Sequence, residues 1–203
     1  MPGLPASGVD GIILQFRDAT VKVTRLPLEG ALLIEPVLHR DGRGFFAESF
    51  RRTVAAGHGF DHDFVQENIS FSTRSGTIRG LHWQTGPKAQ AKLVRVNSGA
   101  ILDVIVDIRR DSPTYGSQLA FTLDGLSLTQ LFVPKGFAHG FCTLEPDTIV
   151  TYRVDAYFSP EHERGVRFDD PDLKIEWPVP FEHAIVSDKD RSLPFFCDVE
   201  GFV

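Results

Sequence analysis

Short runs of alternating apolar and polar residues, broken by glycine, proline and charged turns, cover most of the chain. Alternation over about four to eight residues marks a half-buried strand. Ile13 to Phe16 and Val21 to Arg25 flank a polar turn at Arg17-Asp18, and Ala31 to Val37 is a further apolar run. That run ends in a loop signature, Leu38-His39-Arg40-Asp41-Gly42-Arg43-Gly44. Ala91 to Asn97 and Ala100 to Ile108 flank Ser98-Gly99, which predicts a hairpin. In the second of these strands Ile101, Asp103, Ile105 and Asp107 share one face, while Leu102, Val104, Val106 and Ile108 share the other. The all-apolar face is the predicted core face. A turn at Asp111 to Gly116 follows, then strands at Gln118 to Leu123, Thr129 to Val133, Gly140 to Leu144 and Thr148 to Tyr157.

Many short strands with frequent breaks predict an all-β sandwich or barrel. Helix is scarce: Phe50 to Gly57, stopped by Gly57 or Gly59, and one further turn at Pro160 to Arg164. The proline-rich stretch from Pro171 onward is expected to wrap the barrel. There is no internal repeat and no low-complexity linker. The expected organisation is a single domain over residues 12–203 behind a flexible tail of residues 1–11.

The chain has 203 residues, enough for one domain with a real core, and 17 of them are Phe against 1 Met. A net charge of -6 argues against general nucleic-acid binding, which needs a basic face, but leaves room for a small anionic ligand. Cys142 and Cys197 belong to no C-x-x-C pair and are expected as buried free thiols in a reducing compartment. No apolar run approaches the ~18 residues of a membrane span, and the N-terminus lacks the basic and apolar regions of a signal peptide. The expected location is the cytoplasm.

Seven histidines raise a metal site first. A jelly-roll metal centre presents two His one residue apart on a strand and a third after a P-x-G turn. Pro134-Lys135-Gly136-Phe137-Ala138-His139 supplies the second half, but Leu81-His82-Trp83-Gln84 puts Gln where the second His would stand. Two imidazoles without a carboxylate fall short of a zinc or iron ligand set, so no metal is expected. His82 without a metal is suited to proton abstraction near neutral pH. Gly80 before it permits close approach of backbone or ligand. Arg79, Lys92 and Arg95 would line the same cavity if this strand pair faces inward, and cations around a base suit an anionic substrate and an enolate. Asp190, in Ser187-Asp188-Lys189-Asp190, would orient His82; Tyr152 would serve as an acid from the opposite face; Arg43, in a Gly-flanked loop, would clamp phosphate. Each has a plainer reading: a half-buried His beside Trp83, a solvated charged loop, a core Tyr and a surface turn.

Together these segments resemble the dTDP-4-dehydrorhamnose 3,5-epimerase family, from about Leu33 to Pro194. The matching stretches are Asp41-Gly-Arg-Gly-Phe-Phe-Ala-Glu48, Phe64-Val-Gln-Glu-Asn68, Ile78-Arg-Gly-Leu-His-Trp-Gln84, Ala89-Gln-Ala-Lys-Leu-Val-Arg95, Asp103-Val-Ile-Val-Asp-Ile-Arg-Arg110, Ser112-Pro-Thr-Tyr-Gly116, Val133-Pro-Lys-Gly-Phe-Ala-His-Gly-Phe141, Ser159-Pro-Glu-His-Glu-Arg-Gly-Val166, Asp169-Asp-Pro171 and Ser187-Asp-Lys-Asp190. Their order and spacing make the likeness specific.

The resemblance implies a cupin-type jelly roll and a cofactor-independent isomerase that epimerises C3 and C5 of dTDP-4-keto-6-deoxy-D-glucose. It implies His82 as general base, Asp190 as its dyad partner, Tyr152 as the opposing acid and Lys92 as the group that steadies the enolate. Substrate contacts would come from Arg43, Glu48, Gln66, Asn68, Arg79, His139, Glu163 and Lys189. A homodimer that exchanges N-terminal strands would supply some of these from the partner subunit. Trp83 and Phe158 stand where Tyr or Phe, and Tyr, are more usual; both are aromatic and keep the capacity to stack. The sequence leaves open a C3-only epimerase and a 3,4-ketoisomerase. Of another class, it leaves open a non-catalytic sugar-nucleotide-binding jelly roll.

Overall fold

The computed structural model describes residues 15–17 and 21–202. The expected tail of residues 1–11 and the start of the first predicted strand lie outside the described residues. In chain order the strands are β1 (Gln15–Arg17), β2 (Val21–Arg25), β3 (Leu32–Pro36), β4 (His39–Asp41), β5 (Gly44–Phe46), β6 (Gln66–Ser72) and β7 (Ile78–Gln84). They continue as β8 (Lys92–Ser98), β9 (Ala100–Asp107), β10 (Gln118–Asp124), β11 (Gln130–Val133), β12 (Phe137–Thr143), β13 (Thr148–Val154) and β14 (Glu163–Gly165). Helix α1 (Arg52–His58) ends at Gly59 in the left-handed region, and α2 (Asp188–Arg191) is a single turn. None of the described helices is long and apolar enough to cross a membrane.

Two antiparallel sheets form a sandwich: a seven-stranded sheet in the order β1-β2-β3-β11-β8-β13-β6 and a five-stranded sheet in the order β10-β9-β12-β7-β14. Its interior is filled by Val94 and Val96 of β8, Ile101 and Ile105 of β9, Leu131 and Val133 of β11, Phe137 and Phe141 of β12, and Val150 of β13. The sandwich is all-β with few short helices, as the strand pattern requires.

Three expectations need correction and one needs completing. The β8 and β9 strands do not pair as a hairpin. β8 pairs with β11 and β13, whereas β9 pairs with β10 and β12. The turn at Ser98-Gly99 carries the chain from one sheet to the other, and its tightness needs Gly99: a Cβ there would sit 2.3 Å from Thr148 Oγ1. Second, the all-apolar face of β9 is core as expected, but the mixed face is buried too. The mixed face, with Ile101, Asp103 and Ile105, looks into the sandwich. The all-apolar face, with Val104, Val106 and Ile108, is covered by Leu173, Ile175 and Trp177 of the C-terminal wrap. Third, the turn expected at Pro160 to Arg164 is one hydrogen-bonded turn, His162 N–H to Ser159 O at 3.1 Å, that leads into strand β14. Fourth, Cys142 is buried as expected, but Cys197 is exposed.

Candidate active site

Strand alternation decides which side chains enter the sandwich. On β8, Lys92, Val94 and Val96 point inward, while Leu93 packs with α1 against the outer side of the sheet. Arg95 follows Leu93 outward, donating to Asn97 Oδ1 at 3.0 Å, so it does not join the cavity as the sequence reading expected. On β7, His82 faces the interior, and Trp83 joins the outer layer beneath the C-terminal wrap. His82 stands opposite His139 of β12 in the register of the five-stranded sheet. Tyr152 comes from β13 in the other sheet.

These side chains line a cavity of about 490 Å³ with Arg79, Phe141, Ser187, Lys189 and Asp190. An adjoining cavity of about 250 Å³ shares His82, Lys92 and Tyr152 and adds Gln66, Asn68, Gln84, Gln90, Phe158 and Glu163. The ion pair Lys189 Nζ to Glu163 Oε2, at 2.6 Å, links a residue of each cavity.

The close packing of β7 against β12 brings His82 in. Gly80 has φ +121°, and a Cβ there would lie 2.6 Å from Gly140 Cα and 2.8 Å from His139 O. The permission for close approach read at Gly80 therefore serves a backbone neighbour. The C-terminal wrap then docks on the start of β7 through Ile78 N–H to Ile185 O and Ile185 N–H to Gly76 O, both at 2.9 Å. Ser187 caps α2 by accepting from the Asp190 N–H at 3.1 Å, which orients Asp190 toward the cavity. Asp190 Oδ1 accepts from His82 Nε2 at 2.7 Å, and Asp190 Oδ2 accepts from the Gly80 N–H at 3.2 Å.

Burial and neighbouring charges set the protonation of the groups lining the cavity. Burial opposes ionisation of Asp190, but the His82 ring and the Gly80 N–H outweigh it and hold its carboxyl below the usual value. An ionised Asp190 fixes the proton of His82 on Nε2 and leaves the Nδ1 lone pair free. Burial pushes the Tyr152 phenol up, with the Arg79 charge opposing and Glu163 adding, so it is protonated at neutral pH. Burial lowers Lys92 to about 8, against the attraction of Asp103 and Glu163. Its Nζ donates to His82 O at 3.0 Å.

Of the expected contact residues, Gln66, Asn68, Arg79, His139, Glu163 and Lys189 line the paired cavities. Arg43 and Glu48 do not. Arg43 sits on the exposed β4–β5 hairpin, ion-paired to Asp41 at 2.6 Å, and Glu48 pairs with Arg51 at 2.8 Å. Asp103 was missed as a site residue. It is fully buried on β9, and one oxygen accepts from His139 Nε2 while the other has no hydrogen-bond partner. Its signal was visible: a carboxylate in the middle of an apolar strand is costly unless it is engaged. Gln84, read only as a missing metal ligand, is engaged instead with the backbone of two loops.

An antiparallel sandwich with an imidazole on one sheet and a phenol on the other, around one cavity, is the arrangement of a cupin-type isomerase. Residues 25–198 match the family model described as dTDP-4-dehydrorhamnose 3,5-epimerase. The dTDP-4-dehydrorhamnose 3,5-epimerase of Sinorhizobium fredii is 46% identical over 167 residues, covering 82% of this chain and 85% of that protein. The crystal structure of the Bacillus anthracis enzyme with TDP and PPi bound superposes with a TM-score of 0.84 at 52% identity, covering 86% of this chain and 99% of that one. The Legionella pneumophila dTDP-6-deoxy-D-glucose-3,5-epimerase, in complex with dTDP-4-keto-L-rhamnose, superposes at 0.83 and 37% identity, covering 88% and 94%. The chain belongs to the dTDP-4-dehydrorhamnose 3,5-epimerase family. It is an isomerase that epimerises C3 and C5 of dTDP-4-keto-6-deoxy-D-glucose.

Proposed function

We propose that His82 is the base and Tyr152 the acid of this epimerisation, with Lys92 stabilising the enolate and Asp190 holding His82. The observation that carries the assignment is their placement: His82 on the five-stranded sheet and Tyr152 on the seven-stranded sheet line one cavity. The C4 ketone of the sugar acidifies the hydrogens at C3 and C5. His82 Nδ1 removes one as a proton, the C–H electron pair becomes the enolate π bond, and negative charge moves to the C4 oxygen. The buried ammonium of Lys92 stabilises that oxygen in a low-dielectric site. The Tyr152 hydroxyl delivers a proton to the opposite face, the ketone re-forms and the carbon is inverted. Solvent then takes the proton from His82 and returns one to Tyr152, and the same cycle at the other carbon completes the reaction.

Arg79 and Lys189 supply positive groups of the larger cavity and suit the diphosphate. Phe158, about half exposed at the rim of the smaller cavity, offers a face for stacking the nucleobase. The functional unit in this reading is a homodimer. Strand β6 is a sheet edge with Ile69 71% and Phe71 53% exposed, an apolar edge suited to cover by a second copy. Arg43 and Glu48, remote from their own chain's cavity, would then serve the partner's.

Solvent-exchange NMR tests the assignment. In D₂O, His82→Asn should stop deuterium entering C3 and C5, and Tyr152→Phe should stop inversion. Exchange persisting in His82→Asn, or inversion retained at both carbons in Tyr152→Phe, overturns the corresponding role.

A further inference from the structure

The segment that follows β13 has no regular structure until the turn at Ser159, yet its backbone is held at four successive residues by glutamine side chains. Gln90 Nε2 donates to Ala156 O at 2.7 Å. Gln84 Nε2 donates to Tyr157 O at 3.3 Å, and Gln84 Oε1 accepts from the Ser159 N–H at 2.6 Å. Gln66 Oε1 accepts from the Phe158 N–H at 3.0 Å. Gln84 also donates to Lys88 O at 2.6 Å, and so ties two loops together from the end of β7. It is only 3% exposed, whereas Tyr157 is 63% and Phe158 51% exposed.

That distribution inverts the usual logic of a structural loop. A loop that serves stability buries its aromatic rings and leaves its amides to water. Here the loop backbone is bonded by the buried Gln84 and the half-buried Gln66 and Gln90, while the aromatic residues stay exposed. Rigid backbone under an exposed ring lowers the ordering cost of stacking a planar group on it. Gln84 shares its strand face with His82, two residues earlier, but its amide reaches the loop backbone, not the imidazole.

We propose that Gln84 is a positioning residue for nucleotide binding: it clamps the backbone on either side of Phe158, at Tyr157 and Ser159, so that Phe158 presents its face to the base. This rests on the reading of Phe158 as the stacking surface. Gln84 acts on affinity for the nucleotide half of the substrate and leaves the proton-transfer step alone.

Calorimetry with dTDP and steady-state kinetics on Gln84→Met, Phe158→Ala and the double variant test it. Gln84→Met should raise the dTDP Kd and the substrate KM about tenfold while kcat stays within about twofold. Because Gln84 works through Phe158, adding Gln84→Met to Phe158→Ala should cost nothing further. Kd unchanged in Gln84→Met, a loss just as large in the Phe158→Ala background, or a fall in kcat at constant KM each overturns the clamp. If Phe158→Ala itself leaves the dTDP Kd unchanged, the stacking reading fails and the clamp with it. A loss in Phe158→Ala without one in Gln84→Met overturns the clamp alone. Should Gln84→Met fail to fold, Gln90→Ala removes one tie of the same loop. It should raise Kd about threefold, and an unchanged Kd overturns the proposal.

Discussion

The His82 imidazole and the Asp190 carboxylate meet at 2.7 Å although 108 residues separate them in the chain. The contact depends on the C-terminal wrap docking against the start of β7 and on the Ser187 cap that turns Asp190 inward. Asp190 does two things at once, accepting from the His82 ring and from the Gly80 backbone. It thereby fixes both the tautomer and the orientation of the imidazole.

Asp190→Asn should lower kcat by about 10²–10⁴ with little change in KM. An amide at this position can donate to His82 Nε2, which forces the ring proton onto Nδ1 and blocks the base. Steady-state kinetics, with a thermal melt to verify folding, decide the point. A fall of less than about fivefold would show that His82 does not need its partner.

Lys92 should set the alkaline limb of the pH profile. It must carry charge to stabilise the enolate, and burial lowers it to about 8, so kcat should fall as pH rises through about 8. Lys92→Arg keeps its charge in this range and should move that limb to higher pH. The stability linkage has the opposite sign. Between about 8 and the ordinary value of 10.5 the unfolded chain binds more protons at this site, so the Lys92 contribution to stability grows with pH. A kcat profile in Lys92→Arg that matches the wild type would remove Lys92 from the chemistry.

Gly80→Ala should destabilise the fold by more than about 3 kcal/mol. The added Cβ would lie 2.6 Å from Gly140 Cα, at a backbone φ of +121°. Neither strand can give way without shifting His82 or His139, which stand opposite each other there. Thermal unfolding measures the cost; an unchanged Tm would mean that the two backbones are not held this close.

Co-expressed Arg43→Ala and His82→Asn chains should recover about one quarter of wild-type activity, although each alone is nearly inactive. The recovery requires a dimer in which one intact Arg43 reaches the intact His82 of its partner. A monomer on light scattering, or no recovery in the mixed dimer, would show that Arg43 plays no part across subunits.

The order of short strands, the scarcity of helix and the identity of the chemical groups were legible along the chain. His82, Lys92, Tyr152 and Asp190 stand in short motifs whose residue types already imply proton transfer. Pairing was not legible. Ser98-Gly99 looks like a hairpin turn locally, but which sheet each flanking strand joins is settled by partners far away, β11 and β13 for one and β9's neighbours β10 and β12 for the other. Burial of the second face of β9 was not legible for the same reason: alternation distinguishes two faces but does not say what covers them. Leu173, Ile175 and Trp177 cover the apolar one.

Local composition therefore determined the period of the strands, the turns and the candidate acid, base and cation, because these depend on neighbours within a few residues. Only the tertiary structure decided that His82 and Tyr152 lie on different sheets and that Asp190 reaches His82. It also decided that Arg95 points away and that Arg43 and Glu48 lie outside their own chain's cavity. Those facts follow from long-range packing between sheets and wrap, and no spacing along one strand encodes them.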